Sequence, residues 1–511
     1  MVADPIVTGA GAAPDTDPGR VVAEQGLPSA PLPAPRLQDR QHTGVTGRMA
    51  SRIDMLIARG RRAQAVFGGW SQVAVDEAVA AAAWAIMAPE RNRRLAEQAV
   101  RDTGFGDVED KVRKNHRKTL GLLRDLDGQR TVGVITEDPR KGITEIARPV
   151  GIVAAVTPST NPVATPANNL INAIKARDAI ILAPSPKGAA TCRLLLQYVH
   201  EALARVGAPV DLVQQLPPPG SKVQLDELMA KADLVVATGS RANVEAAYRS
   251  GTPALGVGAG NVAAIVLPGG DATAAAKRIA ASKTFDHATS CSSENSVVAV
   301  GGVCKTLVPA LAAQGGVFAT AEERAALAAR MFADGRPTPD CIARPAAEIA
   351  ARAGLPTVRY ADARFIVVEG EGVGVSDPFS GEKLSPVLAL YRVPDLAAAV
   401  ELVRRIYDHQ GKGHSVGVHG ASEAELRLLA EQLPVARVIA DQIHCLAVGG
   451  AFNNGLPFSL SMGCGTWGRN SFSDNLNVRH FLNVTRIVRP IPESVPDEAT
   501  LLGAYWAKYG R

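Results

Sequence analysis

A lone cysteine, Cys291, lies in the stretch Lys283-Thr-Phe-Asp-His-Ala-Thr-Ser-Cys291-Ser-Ser-Glu-Asn-Ser-Val-Val, among small polar residues and just ahead of an apolar run. Such a setting leaves a thiol accessible. A free thiol ionises near pH ~8.5, so a nucleophilic role requires local amides or positive charge to favour the thiolate. The other five cysteines (Cys192, Cys304, Cys341, Cys445, Cys464) are widely separated, with no CxxC pair and no His/Cys cluster at metal-ligand spacing, so no metal site is expected. By spacing alone an inert buried thiol is the default for any one of the six. Asn161, in Thr157-Pro-Ser-Thr-Asn161-Pro, reads by itself as a turn residue ahead of Pro162.

The elements that must position these residues are legible as an alternation. Apolar strands near 151–156, 179–182, 211–214 and 234–237 are separated by helical stretches at about 164–176, 188–205 and 241–249. That pattern implies a parallel sheet covered on both faces. A second alternating region follows Cys291, with strands near 296–300, 365–368, 387–391, 415–418 and 436–440. Helical stripes from about Met49 precede the first sheet, and two strands around a turn at about 131–147 stand apart as a hairpin. Residues 1–45, rich in Ala, Pro, Gly and Asp, are expected to form a disordered tail.

Composition narrows the function classes. At 511 residues the chain has room for at least two lobes with a cleft between them. It carries 55 basic and 50 acidic residues without a Lys/Arg block, which gives nucleic-acid binding little support. No uncharged stretch approaches the ~20 residues of a membrane span. Widely spaced thiols and no secretion-type leader point to the cytoplasm.

The Cys291 stretch resembles the catalytic loop of the CoA-acylating aldehyde dehydrogenases. The likeness continues through Val108-Glu-Asp-Lys-Val-Arg-Lys-Asn, Thr157-Pro-Ser-Thr-Asn-Pro, Ala237-Thr-Gly-Ser, Gly256-Val-Gly-Ala-Gly-Asn, Glu382-Lys-Leu-Ser-Pro-Val, Gly413-His-Ser and Gly465-Thr-Trp-Gly-Arg-Asn-Ser, nearly everything after residue 50. The Thr-Pro-Ser-Thr-Asn-Pro, Ala-Pro-Ser-Pro and Ser-Cys-Ser-Ser-Glu-Asn strings are similar to those of the acylating sulfoacetaldehyde dehydrogenases within that family. The resemblance implies an α/β aldehyde dehydrogenase fold: a Rossmann-like cofactor lobe over 46–285 with an oligomerisation hairpin at 129–147, a catalytic lobe over 286–445, and a C-terminal return over 446–511. It also implies a homodimer or homotetramer, with the hairpin and the tail near 480–490 pairing across subunits.

The same resemblance implies that Cys291 is the nucleophile and that Asn161, with the Cys291 backbone N–H, holds the oxyanion of the thiohemiacetal. Hydrolytic relatives carry a water-activating Glu in the string equivalent to Gly256-Val-Gly-Ala-Gly-Asn. Its absence favours CoA, a thiol, as the group that resolves the thioester. NAD or NADP is expected against Thr157, Pro158, Ser185, Lys187, Thr238, Gly239, Ser240, Gly258, Glu382 and Pro386, with Lys187 placed to attract a 2′-phosphate. The Gly256–Gly260 string itself reads better as tight backbone packing than as a phosphate loop. For a sulfonate-bearing aldehyde, Arg469 and His287 are the candidate cations, and His414 the residue bordering the acyl or CoA pocket. The same scaffold serving acetaldehyde or propionaldehyde, and a non-catalytic scaffold of the same fold, are the alternatives.

Overall fold

The computed structural model describes residues 51–511; the expected tail over 1–45 lies outside them. Five parallel strands form the first sheet, in the order Val213–Gln215, Ala179–Pro184, Ile152–Thr157, Leu234–Thr238, Ala254–Val257. The middle strand, Ile-Val-Ala-Ala-Val-Thr, is buried at every position. Helices cover both faces, which is why the run is apolar without alternation. The chain leaves this middle strand first toward one edge and later returns to build the other. The carboxyl ends of Ile152–Thr157 and Leu234–Thr238 therefore flank the point where strand order reverses, the crevice where open α/β sheets bind ligands.

Seven parallel strands form the second sheet, in the order Gly316–Phe318, Phe365–Glu369, Val387–Val393, Glu294–Val300, Val262–Val266, Val416–His419, Val438–Ala440. Side chains alternate between two cores: Ala263, Ile265 and Val298 pack on one face, Ala264, Val266 and Val297 on the other. The strand Val262–Val266 and the helix Ala272–Thr284 belong to this sheet, so the chain crosses between sheets at 258–261. The run Val262–Val266, buried at all five positions, carries no alternation that would have marked it as a strand.

The hairpin is present as Gly133–Asp138 and Ile143–Pro149. Its third strand, Leu482–Val488, comes from the same chain, with Val484 opposite Ala147 and Thr485 opposite Ile146. The tail therefore pairs with the hairpin of its own chain. The closing helix Glu498–Tyr509 buries none of its residues. Among the described residues, no helix is long and apolar enough to cross a membrane.

Candidate active site

One helix departs from the usual pattern. Val108–Leu126, capped by Asp107, turns Lys111, Lys114, Asn115, Lys118 and Thr119 inward along with Leu122 and Leu126. Three lysines on a buried face need partners, since an uncompensated buried charge is strongly unfavourable. Lys111 and Lys114 find theirs in Asp286, whose side chain is fully buried. Asp286 also accepts from the Asp107 N–H at 2.8 Å and the Thr289 hydroxyl at 2.6 Å.

That ion cluster holds a strained turn. Asp286, His287 and Ala288 all have left-handed backbones, at φ 50°, 48° and 58°, a conformation unfavourable for residues with a Cβ and kept only where surroundings enforce it. Gly106 makes room for the carboxylate: a Cβ there would lie 1.9 Å from Asp286 Oδ1. Five residues beyond Asp286 the chain reaches Cys291.

Cys291 and Asn161 line one cavity of about 310 Å³, together with Pro158, Thr238, Gly258 and Glu382. The three donors of the Lys114 ammonium go to Asp286, to Thr289 Oγ1 at 3.1 Å and to Asn161 Oδ1 at 2.9 Å. Because an ammonium only donates, it fixes the Asn161 amide with its oxygen toward Lys114, leaving the NH₂ as the group available to a ligand. The Cys291 sulfur lies 3.6 Å from His414 Nε2, and His414 Nδ1 lies 2.7 Å from Ser415 Oγ. Arg437 fixes that histidine's backbone, donating to the carbonyls of His414, Gly463 and Ser473 and to Asn475 Oδ1.

The nucleophile and the two titratable groups beside it rest in their neutral forms. Burial, then the nearby Glu382 and Cys464, push the Cys291 thiol up to about 12, against the pull of its own backbone N–H and Arg437. Burial, with Arg437 and His444 adding to it, brings His414 down to about 3. Glu382, desolvated in the same wall and holding one N–H from Gly260, rises to about 8. Gly260 itself packs on the Cys291 backbone, where a Cβ would approach the Cys291 carbonyl oxygen to 2.1 Å. The glycine string does serve tight packing.

Residues 37–318 match the model of the aldehyde dehydrogenase family. The chain is 58% identical to an acylating sulfoacetaldehyde dehydrogenase of Cupriavidus necator, over 95% of this chain and 97% of that protein. The chain belongs to the aldehyde dehydrogenase family. A second acylating sulfoacetaldehyde dehydrogenase, from Bilophila wadsworthia, is 38% identical over 88% of this chain and 98% of its own. An acetylating aldehyde dehydrogenase from Geobacillus thermoglucosidasius superposes with a TM-score of 0.83 at 34% identity, covering 87% of this chain and 98% of that one.

Within this aldehyde dehydrogenase, the residues expected at the cofactor divide into groups. Pro158, Thr238, Gly239, Ser240, Gly258 and Glu382 line the Cys291 cavity. Thr157 and Ser185, at or just beyond the carboxyl ends of adjacent strands, each keep a buried hydroxyl without a partner. A switch-point crevice with unspent hydroxyls and a glycine-lined wall fits a nicotinamide dinucleotide. Lys187 is exposed, its ammonium 5.1 Å from the Phe105 ring centroid. Pro386 stands apart: it is buried in the second sheet, and its carbonyl accepts from Ile366 N at 2.9 Å.

Neither cation expected at the substrate reaches the cavity. His287 is held in the strained turn, and Arg469 lines a neighbouring cavity with Arg241, Arg249, Tyr248 and Trp467. Lys118, which the sequence reading passed over, lines the Cys291 cavity instead. Its signal was present: Lys111, Lys114 and Lys118 recur at three- and four-residue spacing on the face that also carries Leu122.

The Asp286 cluster makes a testable contribution to stability. Burial raises its carboxyl, but the charges of Lys114 and Lys111 overcome this and hold it at about 2, below the ordinary 3.8. A depressed carboxylate stabilises the fold above its unfolded pKa and loses that contribution as pH falls through the folded value. Asp286→Asn is expected to destabilise the protein by about 3–5 kcal/mol at neutral pH, because two buried ammoniums lose their counter-charge. In urea titrations the gap from wild type should narrow as pH falls from about 4 to about 2; a gap independent of pH in that window rules out the ion cluster as its source.

Proposed function

We propose that the protein oxidises sulfoacetaldehyde with CoA and NAD(P)+ to the corresponding acyl-CoA, through a thioester on Cys291. The reading rests on one observation above others: Cys291 and an amide-oriented Asn161 share a cavity in which, among the described residues, Glu382 is the only carboxyl-bearing lining residue. The 58% identity to an acylating sulfoacetaldehyde dehydrogenase, over 95% of this chain and 97% of that protein, supports the substrate.

With Nδ1 protonated toward Ser415, His414 Nε2 is the acceptor for the Cys291 proton. The thiolate adds to the aldehyde carbon, and the new oxyanion takes hydrogen bonds from the Asn161 NH₂ and the Cys291 N–H. NAD(P)+, when bound, supplies the acceptor for the hydride of that carbon. The carbon is left as an acyl thioester on Cys291, and His414 releases its proton to solvent. The CoA thiol then attacks, giving its proton to the freed His414 Nε2; the Cys291–acyl bond breaks, and that proton returns to the departing Cys291 sulfur. Pro158, Thr238, Gly239, Ser240, Gly258 and Glu382 would border the nicotinamide half, and Arg241, Arg249 and Arg469 at the adjoining cavity would meet phosphate groups.

Water competes poorly with CoA here. A base is needed to activate it, and Glu382, raised to about 8, is largely protonated at neutral pH. Reduced-cofactor formation by purified protein is therefore expected only when CoA is present, and faster with sulfoacetaldehyde than with acetaldehyde or propionaldehyde. Turnover indifferent to CoA would discard the acylating mechanism, and a preference for the uncharged aldehydes would discard the substrate.

A further inference from the structure

We propose that Lys118 is the anion anchor of the Cys291 cavity, its ammonium binding the sulfonate of the aldehyde whose carbonyl Cys291 attacks. The substrate named here is the one argued above, and the anchor deepens that reading.

Two cationic residues line the cavity, Lys118 and Arg241. Arg241 is 79% exposed and already paired with Glu245 at 2.7 Å, so it belongs to the mouth. Lys118 is 7% exposed. The Lys114 ammonium spends all three donors on protein acceptors, but Lys118 spends one, on the Gly449 carbonyl at 2.6 Å. Among the described residues no carboxylate comes within ion-pair reach of it. The Phe458 ring lies against it, 5.5 Å from centroid to nitrogen. The site is shaped for the ammonium: a Cβ on Gly449 would fall 2.7 Å from Lys118 Nζ.

A second donor in the same wall is also unspent. Thr165 lines the cavity, and its buried hydroxyl has no partner. Two ammonium N–H groups and a hydroxyl make a donor set for an oxyanion with three acceptor oxygens, and charge-assisted bonds of this kind are the strong ones. Burial, with Arg117 beside it, draws the Lys118 ammonium down to about 7, the mark of a cation without a counter-charge. An incoming sulfonate supplies that charge; an uncharged aldehyde leaves it missing.

Spacing agrees with the size of the substrate. Lys118 stands one turn beyond Lys114 on the same helix, roughly 6 Å of rise. Lys114 orients the amide that meets the carbonyl oxygen, so one helix sets both ends of a molecule in which a single methylene separates carbonyl from sulfonate.

The test compares sulfoacetaldehyde with propionaldehyde in wild type and Lys118→Met, a substitution that keeps the stem and removes the charge. The ratio of kcat/KM for the sulfonate over the uncharged aldehyde is expected to fall about 10- to 100-fold, the scale of hydrogen bonds to a charged group. Propane-1-sulfonate, which has no aldehyde, should inhibit propionaldehyde turnover competitively in wild type and about 10-fold or more weakly in the variant. Lys118→Gln, which keeps donors without charge, should fall between, and serves if the Met variant does not fold. An unchanged ratio, or a wild type indifferent to the sulfonate inhibitor, overturns the anchor. A wild type that is inhibited through Lys118 yet does not oxidise sulfoacetaldehyde would retain the anchor and reject the substrate reading.

Discussion

Cys291→Ser is expected to lower CoA-dependent turnover by about 10⁴-fold or more, the scale seen when a covalent nucleophile is removed. The change exchanges one atom in a half-buried position, so the fold and the Asp286 cluster should survive it. What is lost is the chemistry of sulfur. In the resting pocket the thiol is already pushed up to about 12, and a hydroxyl in the same wall is harder still to ionise. His414, brought down to about 3 by burial and its cationic neighbours, takes even the thiol proton only as sulfur bonds to the aldehyde carbon, and a hydroxyl, which holds its proton more tightly, widens that mismatch. An oxygen ester would also be a poorer partner for exchange with the CoA thiol than a thioester is. Mass spectrometry gives a readout independent of turnover: wild type incubated with the acyl-CoA product should gain the acyl mass on the peptide carrying Cys291, and the serine variant should gain none. Retention of more than about one per cent of activity, or acylation at another residue, would mean that a different group carries the intermediate.

How far the sequence led can be judged from particular residues. The strands Ile152–Thr157 and Ala179–Pro184 were legible because each is an apolar run bounded by turn residues and followed by a helical stretch. The strand Val262–Val266 was passed over, because a buried apolar run of five residues shows no alternation that separates a strand from a buried helix segment. That strand belongs to the second sheet, so the chain passes between the two sheets at 258–261, and Gly258 and Ala259 line the Cys291 cavity. Motifs brought Cys291, Asn161, Thr238 and Glu382 to one cavity, because short strings at strand ends record what the backbone there must present. The substrate cations were sought beside Cys291 in sequence, at His287, and in a distant loop, at Arg469. Neither lines the cavity, for proximity in sequence across a strained turn says little about direction. The lysines that do converge come from a helix more than 150 residues earlier, and only the third dimension relates that helix to Asp286 and Asn161.

Lys114→Met is expected to reduce kcat by about 10²–10³-fold with a much smaller change in KM, the pattern for loss of an oriented donor that acts in the transition state. Lys114 does not line the cavity; it acts through Asn161, whose amide oxygen it holds at 2.9 Å. Without the ammonium nothing distinguishes the two ends of that amide, and the oxygen can turn toward the developing oxyanion, where it repels. Lys111 remains to neutralise Asp286, at 3.1 Å, so the turn before Cys291 keeps one of its two clamps. A purely structural role predicts something different: a drop in thermal stability with kcat and KM disturbed together. The decisive measurement is a double-mutant cycle with Asn161→Ala. If Lys114 works by orienting that amide, its removal should cost little once the amide is gone, and the two kinetic losses should overlap rather than add. Fully additive losses would sever Lys114 from Asn161 and leave the lysine only its part in holding Asp286.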